Sequence, residues 1–466
     1  MDEISEATKS LLSENHPISE IRVLLKNKGF LEKDIENSIN EVSTNLKNQY
    51  WKERKSLQNK FLMKESLDRI GLGFGSIQFI NVILALSGGS LFLIGMLNGL
   101  RAIIAIVFSA LIKEYNKINK LPKSFIANSG IVFGFSFLLL GVSAYFNQLW
   151  LFTISIILTS ISIVATGDIY KEYLNNKLAK ERQNRLLKHI PVYGVSITII
   201  GLILGAFILD TLPHTGKIIN LFGTTFKVTG YLIAFEITAI AFILSGYILR
   251  RIKDKKPIEK KTPIRRVYEI IKENLMQNAK KIMSNHTLFV MIMATTIAGF
   301  STIMGTAYYG VFIYKYFSFF LFGKFMNIAI IFSIAAIFAT FGPYISQYLS
   351  KKMTPVPLLI FGTALTSIMP LTYWYNAHII PVSLATIIGV IGSSITGLAT
   401  GLFIQSEVKE KDAYYNTLSI IVTIPYIILI PIGSLVAQVL GLQSLFLIIG
   451  IILLISIPIY FMMLFR

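Results

Sequence analysis

Twelve apolar blocks, each close to the length of a bilayer crossing, leave this chain few folds to adopt. They fall near residues 69–88, 90–112, 124–145, 148–168, 190–210, 229–249, 287–312, 318–341, 356–374, 379–403, 414–436 and 443–464. A hydrocarbon core of about 30 Å needs roughly 20 apolar residues per helix. Charged residues make up only 15% of the 466, against about 25% in an ordinary soluble chain. The pattern predicts an all-α, polytopic membrane protein.

The connections between blocks predict an orientation. Of 44 Lys and Arg, 39 fall on one set of alternate connections and at the termini. The other set has Lys217, Lys227 and Lys315, while Arg101 and Lys324 lie inside blocks. Loops rich in Lys and Arg stay cytoplasmic, so both termini are expected inside the cell membrane. The same split accounts for the net charge of +19 without nucleic acid as a partner. The absence of cysteine excludes disulfides and thiolate metal sites. The opening, MDEISEATKSLLSENHP, lacks the basic start and short apolar core of a signal peptide.

Residues 1–45 read as a small cytoplasmic module of three short helices. Ile18, Ile21, Leu24 and Leu25 form one apolar face, Gly29 stops that helix, and Leu31, Ile35 and Ile39 form the next. The KGF turn between two amphipathic helices resembles that of the ubiquitin-associated three-helix domain, which implies a protein partner. A helical cap serving folding is the plainer alternative. Residues 46–67 are a basic amphipathic linker with interleaved aromatics, suited to the membrane interface. An N-terminal six-helix bundle at 68–250 and a C-terminal one at 287–466 then flank a cytoplasmic loop, 251–286. In that loop Ile264, Val267, Ile271, Leu275 and Ile282 share one face, predicting an amphipathic helix on the inner membrane surface.

Six plus six blocks suggest a duplicated fold. SLFLIG (90–95) and SFFLFG (318–323) are expected to begin the second and eighth spans at equivalent places. The segments AKERQNRLLKHIPVYGVSITIIGLILGAFI and KEKDAYYNTLSIIVTIPYIILIPIGSLVAQVLG enter the fifth and eleventh spans. Through them, residues from about 65 to 466 resemble the major facilitator superfamily. The resemblance implies two pseudo-symmetric six-helix bundles that rock about a central cavity lined by spans one, four, seven and ten, flanked by two and eight. Gly194, Gly201 and Gly205 are small residues that let helices approach closely. The loop SALIKEYNKINKLPK lacks the family's Asp, and the fourth span lacks the arginine of many proton-coupled drug exporters of the family. Proton-driven drug export therefore does not follow.

Arg101 is the residue that most needs explaining. It lies about 15 Å down the second span, where a guanidinium costs ~3 kcal/mol on insertion scales. Asn98 shares its face; Gln78 and Asn81 repeat the spacing in the first span, and Lys324 and Asn327 in the eighth. Intramembrane charges usually face a water-filled path. Gln78, Asn81, Asn98, Arg101, Lys324 and Asn327, with Tyr308 of the seventh span, are therefore candidate contacts for a polar or anionic substrate, since Arg forks onto carboxylate or phosphate. Alternatively Arg101 pairs with Glu236, the one acidic residue well inside a span. Glu236 and Asp168 are the candidates for coupling or an internal ion pair. Asp68 and Asp210 lie at span ends, where charges are easily solvated.

The expected function is secondary transport of a small polar or anionic solute by alternating access. The expected partners are that solute, the bilayer and a protein for the N-terminal module, with no cofactor and no metal. A lipid-linked sugar flippase or a multidrug-type exporter are the nearer rivals. A membrane enzyme would need clustered His, Asp or Glu at one face, and a receptor would leave the mid-span polar pairs unexplained.

Overall fold

The computed structural model describes residues 2–13, 18–164, 167, 169–177, 180–212, 216–221, 224–252, 262–375, 378–407 and 411–464. The chain divides into two compact units, Met1–Met63 and Lys64–Arg466.

The first unit holds α1 (Asp2–Ser13), α2 (Ile18–Asn27) and the start of α3 (Glu32–Phe74). Ile21 and Leu25 are one turn apart, as are Ile35 and Ile39, and these four bury with Ile4 into a small core. Gly29, at φ +87°, turns the chain between α2 and α3, a conformation other residues adopt only at a cost. Ile18 and Leu31, expected on the same buried faces, are 47% and 73% exposed. No third short helix ends near residue 45: α3 runs unbroken for 43 residues. No Gly or Pro interrupts it before Gly71, so nothing stops the helix. The side chains of 43–55, most of the expected linker's first half, lie outside the described residues.

In the second unit ten helices among the described residues are long and apolar enough to cross a membrane. After α3 and α4 (Ile77–Leu86) come α5 (Leu91–Ile118), α6 (Lys123–Tyr145), the shorter apolar α7 (Leu149–Val164), α8 (Tyr170–Lys177), α9 (Lys180–Thr211) and α10 (Gly230–Arg250). Then follow α11 (Ile264–Ser284), α12 (His286–Phe317), α13 (Lys324–Ser350), α14 (Pro355–Tyr375), α15 (Ile379–Glu407), α16 (Lys411–Thr423) and α17 (Tyr426–Phe461). The last is two helices joined at Gly441, whose φ of +86° breaks the ladder. An unexpected hairpin, β1 (Lys217–Leu221) and β2 (Thr224–Val228), joins α9 to α10 with Lys217 opposite Val228.

The SLFLIG and SFFLFG stretches do not correspond. Ser90 caps α5 by accepting the Leu93 N–H at 3.1 Å, so SLFLIG opens a helix. SFFLFG is instead a tight turn, with Leu321 at φ +51° and Gly323 at φ +85°. Helix α13 can begin only after that turn, at Lys324.

Among α5–α10, α6 packs on α10 and α7, and α7 on α5; among α12–α17, α14 packs on α15 and α17, and α13 on α15. The two sets meet where α12 lies on α4 and α5, α16 and α17 on α5, and α9 on α13. Helices α3 and α9 cross at Gly73 and Gly201, so closely that a Cβ on Gly73 would sit 2.7 Å from the Gly201 Cα. Helix α11 buries Val267, Ile271 and Ile282 against α5, α12 and α16. It is thus anchored on helix ends as well as amphipathic, and Ile264, expected on its apolar face, is 77% exposed.

Candidate functional site

The predicted polar pairs of the first and second spans come together, but not around an open cavity. Gln78 and Asn81 lie on α4, and both are buried. Gln78 accepts the Gly310 N–H at 2.8 Å and donates to the Thr306 carbonyl at 3.3 Å. Asn81 donates to the Ala307 carbonyl at 2.9 Å and accepts from Asn98 at 2.8 Å. Asn98 also donates to the Ile94 carbonyl at 2.8 Å. Tyr308, fully buried, donates to the Leu91 carbonyl at 2.8 Å. These residues form a hydrogen-bonded seam between the two helix sets. Its α5 strip, GMLNG, lets the helices close: a Cβ on Gly95 would strike Tyr308 and Ser434, and one on Gly99 would strike Ile430.

The seam lies toward the Lys- and Arg-poor ends of the helices, where α5 begins and α12 finishes. A second tie closes the same end. Asp210, in the last turn of α9, accepts the Phe325 and Met326 N–H groups at 3.0 and 2.8 Å. It caps the N-terminus of α13, which has no side-chain cap of its own. Lys324 is exposed beside it, at the helix end rather than in a cavity. Asn327 is buried and donates to the Phe317 and Phe320 carbonyls, both at 2.8 Å. Its role is to hold the α12–α13 turn. Helix α13 begins six residues later than the apolar block suggested, which puts Lys324 in its first turn rather than inside a span. Asp210, expected to be simply solvated, is a structural cap.

Arg101, one turn beyond Asn98, makes no hydrogen bond or ion pair among the described residues and is partly exposed. It does not pair with Glu236. That residue is exposed on α10, a helix that packs on α6 and α9. Asp168 lies outside the described residues.

Further along, away from the seam, is a cavity of about 360 Å³. Its walls are Thr295 and Thr302 of α12, Thr363 and Thr366 of α14, and Tyr426 and Tyr460 of α17. Helix α15 adds Ser393, Thr396 and Thr400, one stripe at helical spacing, and Ile106 of α5 closes it. Along α5 the order is Asn98, Arg101, Ile106; along α12 it is cavity at 295–303, then seam at 306–310. Arg101 therefore sits between the two levels. This hydroxyl stripe was legible as period-3.6 Ser and Thr in apolar blocks, but hydroxyls are common in membrane helices and raised no signal.

A third cluster was missed. Lys64 and Asp68, both buried, form an ion pair, and Ser245 of α10 donates to Asp68. The Lys64 ammonium stands 3.6 Å over the Tyr170 ring. Burial, then the nearby Glu65 and Asp68 carboxylates, push the Tyr170 hydroxyl well above its ordinary pKa. Asp68 is thus sequestered rather than solvated. Tyr373 is buried against Tyr309, Phe312 and Phe446. Among the described residues no three His, Cys, Asp or Glu converge as a metal site.

No family model matches the chain, and no curated protein does. Solved structures do. The nucleoside transporter NupG superposes with a TM-score of 0.67 at 13% identity, over 87% of this chain and 98% of that one. A bacterial homologue of the iron transporter ferroportin, in an inward-facing state, gives 0.64 at 14% identity, over 88% and 99%. A bacterial homologue of the human lysosomal transporter Spinster, inward-facing and unoccupied, gives 0.63 at 13%, over 88% and 96%. This chain has their fold. All three are transporters. What is shared at such identity is the fold.

Proposed function

We propose that the protein is a secondary active transporter of the major facilitator type, moving a small polar or anionic solute across the cell membrane by alternating access. Twelve crossings follow when α7 spans the bilayer and α17 is counted as two, with both termini inside.

The observation that carries this reading is a contrast on one face of α5. Asn98 gives both amide protons to neighbours, Asn81 and the Ile94 carbonyl. Arg101, one turn on, has no hydrogen-bond or ion-pair partner among the described residues and is partly exposed. A protein that needed only stability would pair or replace that cation, because an isolated charge within the membrane is costly. A carrier keeps it for a ligand, and a guanidinium favours carboxylate or phosphate oxygens. Gln78, Asn81, Asn98 and Tyr308 then serve the gate. Interhelical hydrogen bonds in membranes are worth about 0.6 kcal/mol each, so a few can be exchanged as the halves rock.

Of the two coupling candidates, Glu236 faces outward on α10 and Asp168 lies outside the described residues. Uniport or exchange fits that arrangement without further residues. Thermal stabilisation of the purified protein by a panel of anionic, neutral and cationic metabolites tests the reading. Wild type responds to an anionic or strongly polar compound and Arg101→Ala does not. Equal responses in both would remove Arg101 from the substrate path.

A further inference from the structure

The hydroxyl-lined cavity among α12, α14, α15 and α17 has no part in the seam and contains none of the residues singled out from the sequence. We infer that it is a binding site for an uncharged polyhydroxylated moiety, the body of the transported solute. This rests on the transport reading above and adds a substrate class to it.

Three observations lead there. No charged side chain is among the described residues lining the cavity, so an isolated ion inside it would lack compensation. Most of its hydroxyls already give their proton to their own helix. Thr302 donates to Ala298, Thr366 to Gly362, Thr396 to Gly392 and Thr400 to Thr396, at 2.8–3.1 Å. What they turn to the cavity is lone pairs, which ask for a ligand rich in O–H donors.

The third observation is a convergence of hydroxyls. Thr363 is fully buried, and neither its Oγ1 nor that of Thr295 bonds to its own helix. The Tyr460 hydroxyl lies within hydrogen-bonding reach of both. Helices α12, α14 and α17 thus bring three hydroxyls together on one wall of the cavity. The cavity of about 360 Å³ is of the size that holds a small ligand.

The cavity also has a harmless place to plug. Gly397 lines it, and a Cβ built there meets nothing within 4 Å. Gly397→Leu fills the space while leaving the helix contacts alone. Thr363→Val removes a hydroxyl at constant shape, and Thr363→Ser keeps it.

The experiment compares matched pairs on the purified full chain: gluconate against hexanoate, and myo-inositol against cyclohexanol. Melting temperature is read first, and counterflow in proteoliposomes second. Binding of the hydroxylated member of a pair is expected to be roughly tenfold tighter, to disappear in Gly397→Leu, to weaken in Thr363→Val and to persist in Thr363→Ser. Equal responses within each pair, no response to any member, or a response that survives Gly397→Leu overturns the assignment. Binding that obeys these variants without counterflow would leave the cavity assigned and sink the transport reading. Gluconate flux indifferent to Gly397→Leu would do the reverse.

Discussion

Gln78 occupies a step of the α12 ladder that belongs to Gly310. Its Oε1 takes the Gly310 N–H at 2.8 Å, and its Nε2 gives to the Thr306 carbonyl at 3.3 Å. Those are the two groups that join each other in an undisturbed helix. Gly310 is needed for the approach, since a Cβ there would lie 2.7 Å from Oε1. One side chain thus ties the two helix sets together through backbone.

The tie is weak by design of its chemistry, because Thr306 and Gly310 can satisfy each other when Gln78 leaves. Gln78→Leu is expected to keep the fold and to shift the closed seam toward the open form by about 3- to 18-fold, from about 0.6–1.7 kcal/mol. The chain has no cysteine, so a single cysteine at Ala307 reports opening by its rate of labelling with an impermeant maleimide. An unchanged rate would show that the seam does not depend on Gln78.

Steric closure at GMLNG is a separate device. Gly99→Leu places carbon where Ile430 now lies; overpacking of this kind costs about 1–3 kcal/mol. The variant should label faster at Ala307 than Gln78→Leu does. Slower labelling would mean that α5 and α17 do not limit opening.

Arg101 makes a prediction of opposite sign for stability. With no partner to lose among the described residues, Arg101→Leu is expected to raise the melting temperature of the empty protein and to abolish its response to ligand. The gain in the membrane has an upper scale of ~3 kcal/mol from insertion data. A loss of stability in Arg101→Leu would point to a structural partner instead.

Asp210 links α9 to the start of α13. Removing a helix N-cap costs about 1 kcal/mol, within a range of 0.5–2, and a carboxylate there adds a favourable term with the helix dipole. Asp210→Ala should lower the thermal midpoint, and Asp210→Asn, which keeps an acceptor, should lower it less. The reverse order would exclude the capping role.

The membrane-length helices and the proximity of Gln78, Asn81 and Asn98 were legible because apolar length and polar spacing are properties of the chain itself. What these amides face is not. Gln78 and Asn81 engage the Thr306–Gly310 backbone of α12, a partner more than 200 residues away, while Asn98 bonds to Asn81 and Ile94. Lys324 reads as lying inside a span because apolar composition continues through the Phe319–Phe322 turn, and only the positive φ of Leu321 and Gly323 ends it. Asp68 and Asp210 read as solvated because a span end in sequence does not reveal which helix covers it. The β1–β2 hairpin, KIINLFGTTFKV, carries a strand-like pattern that is too short to compete with the apolar blocks around it.

The most direct test of alternating access is a distance across the seam. Spin labels at Phe146→Cys and Phe319→Cys, on exposed turns at the Lys-poor end of each helix set, report separation by pulsed electron resonance in nanodiscs. The account predicts two populations, the shorter one dominant in the empty protein and the longer one enriched by Gln78→Leu. A single distance, unmoved by Gln78→Leu or Gly99→Leu, would contradict a rocking carrier.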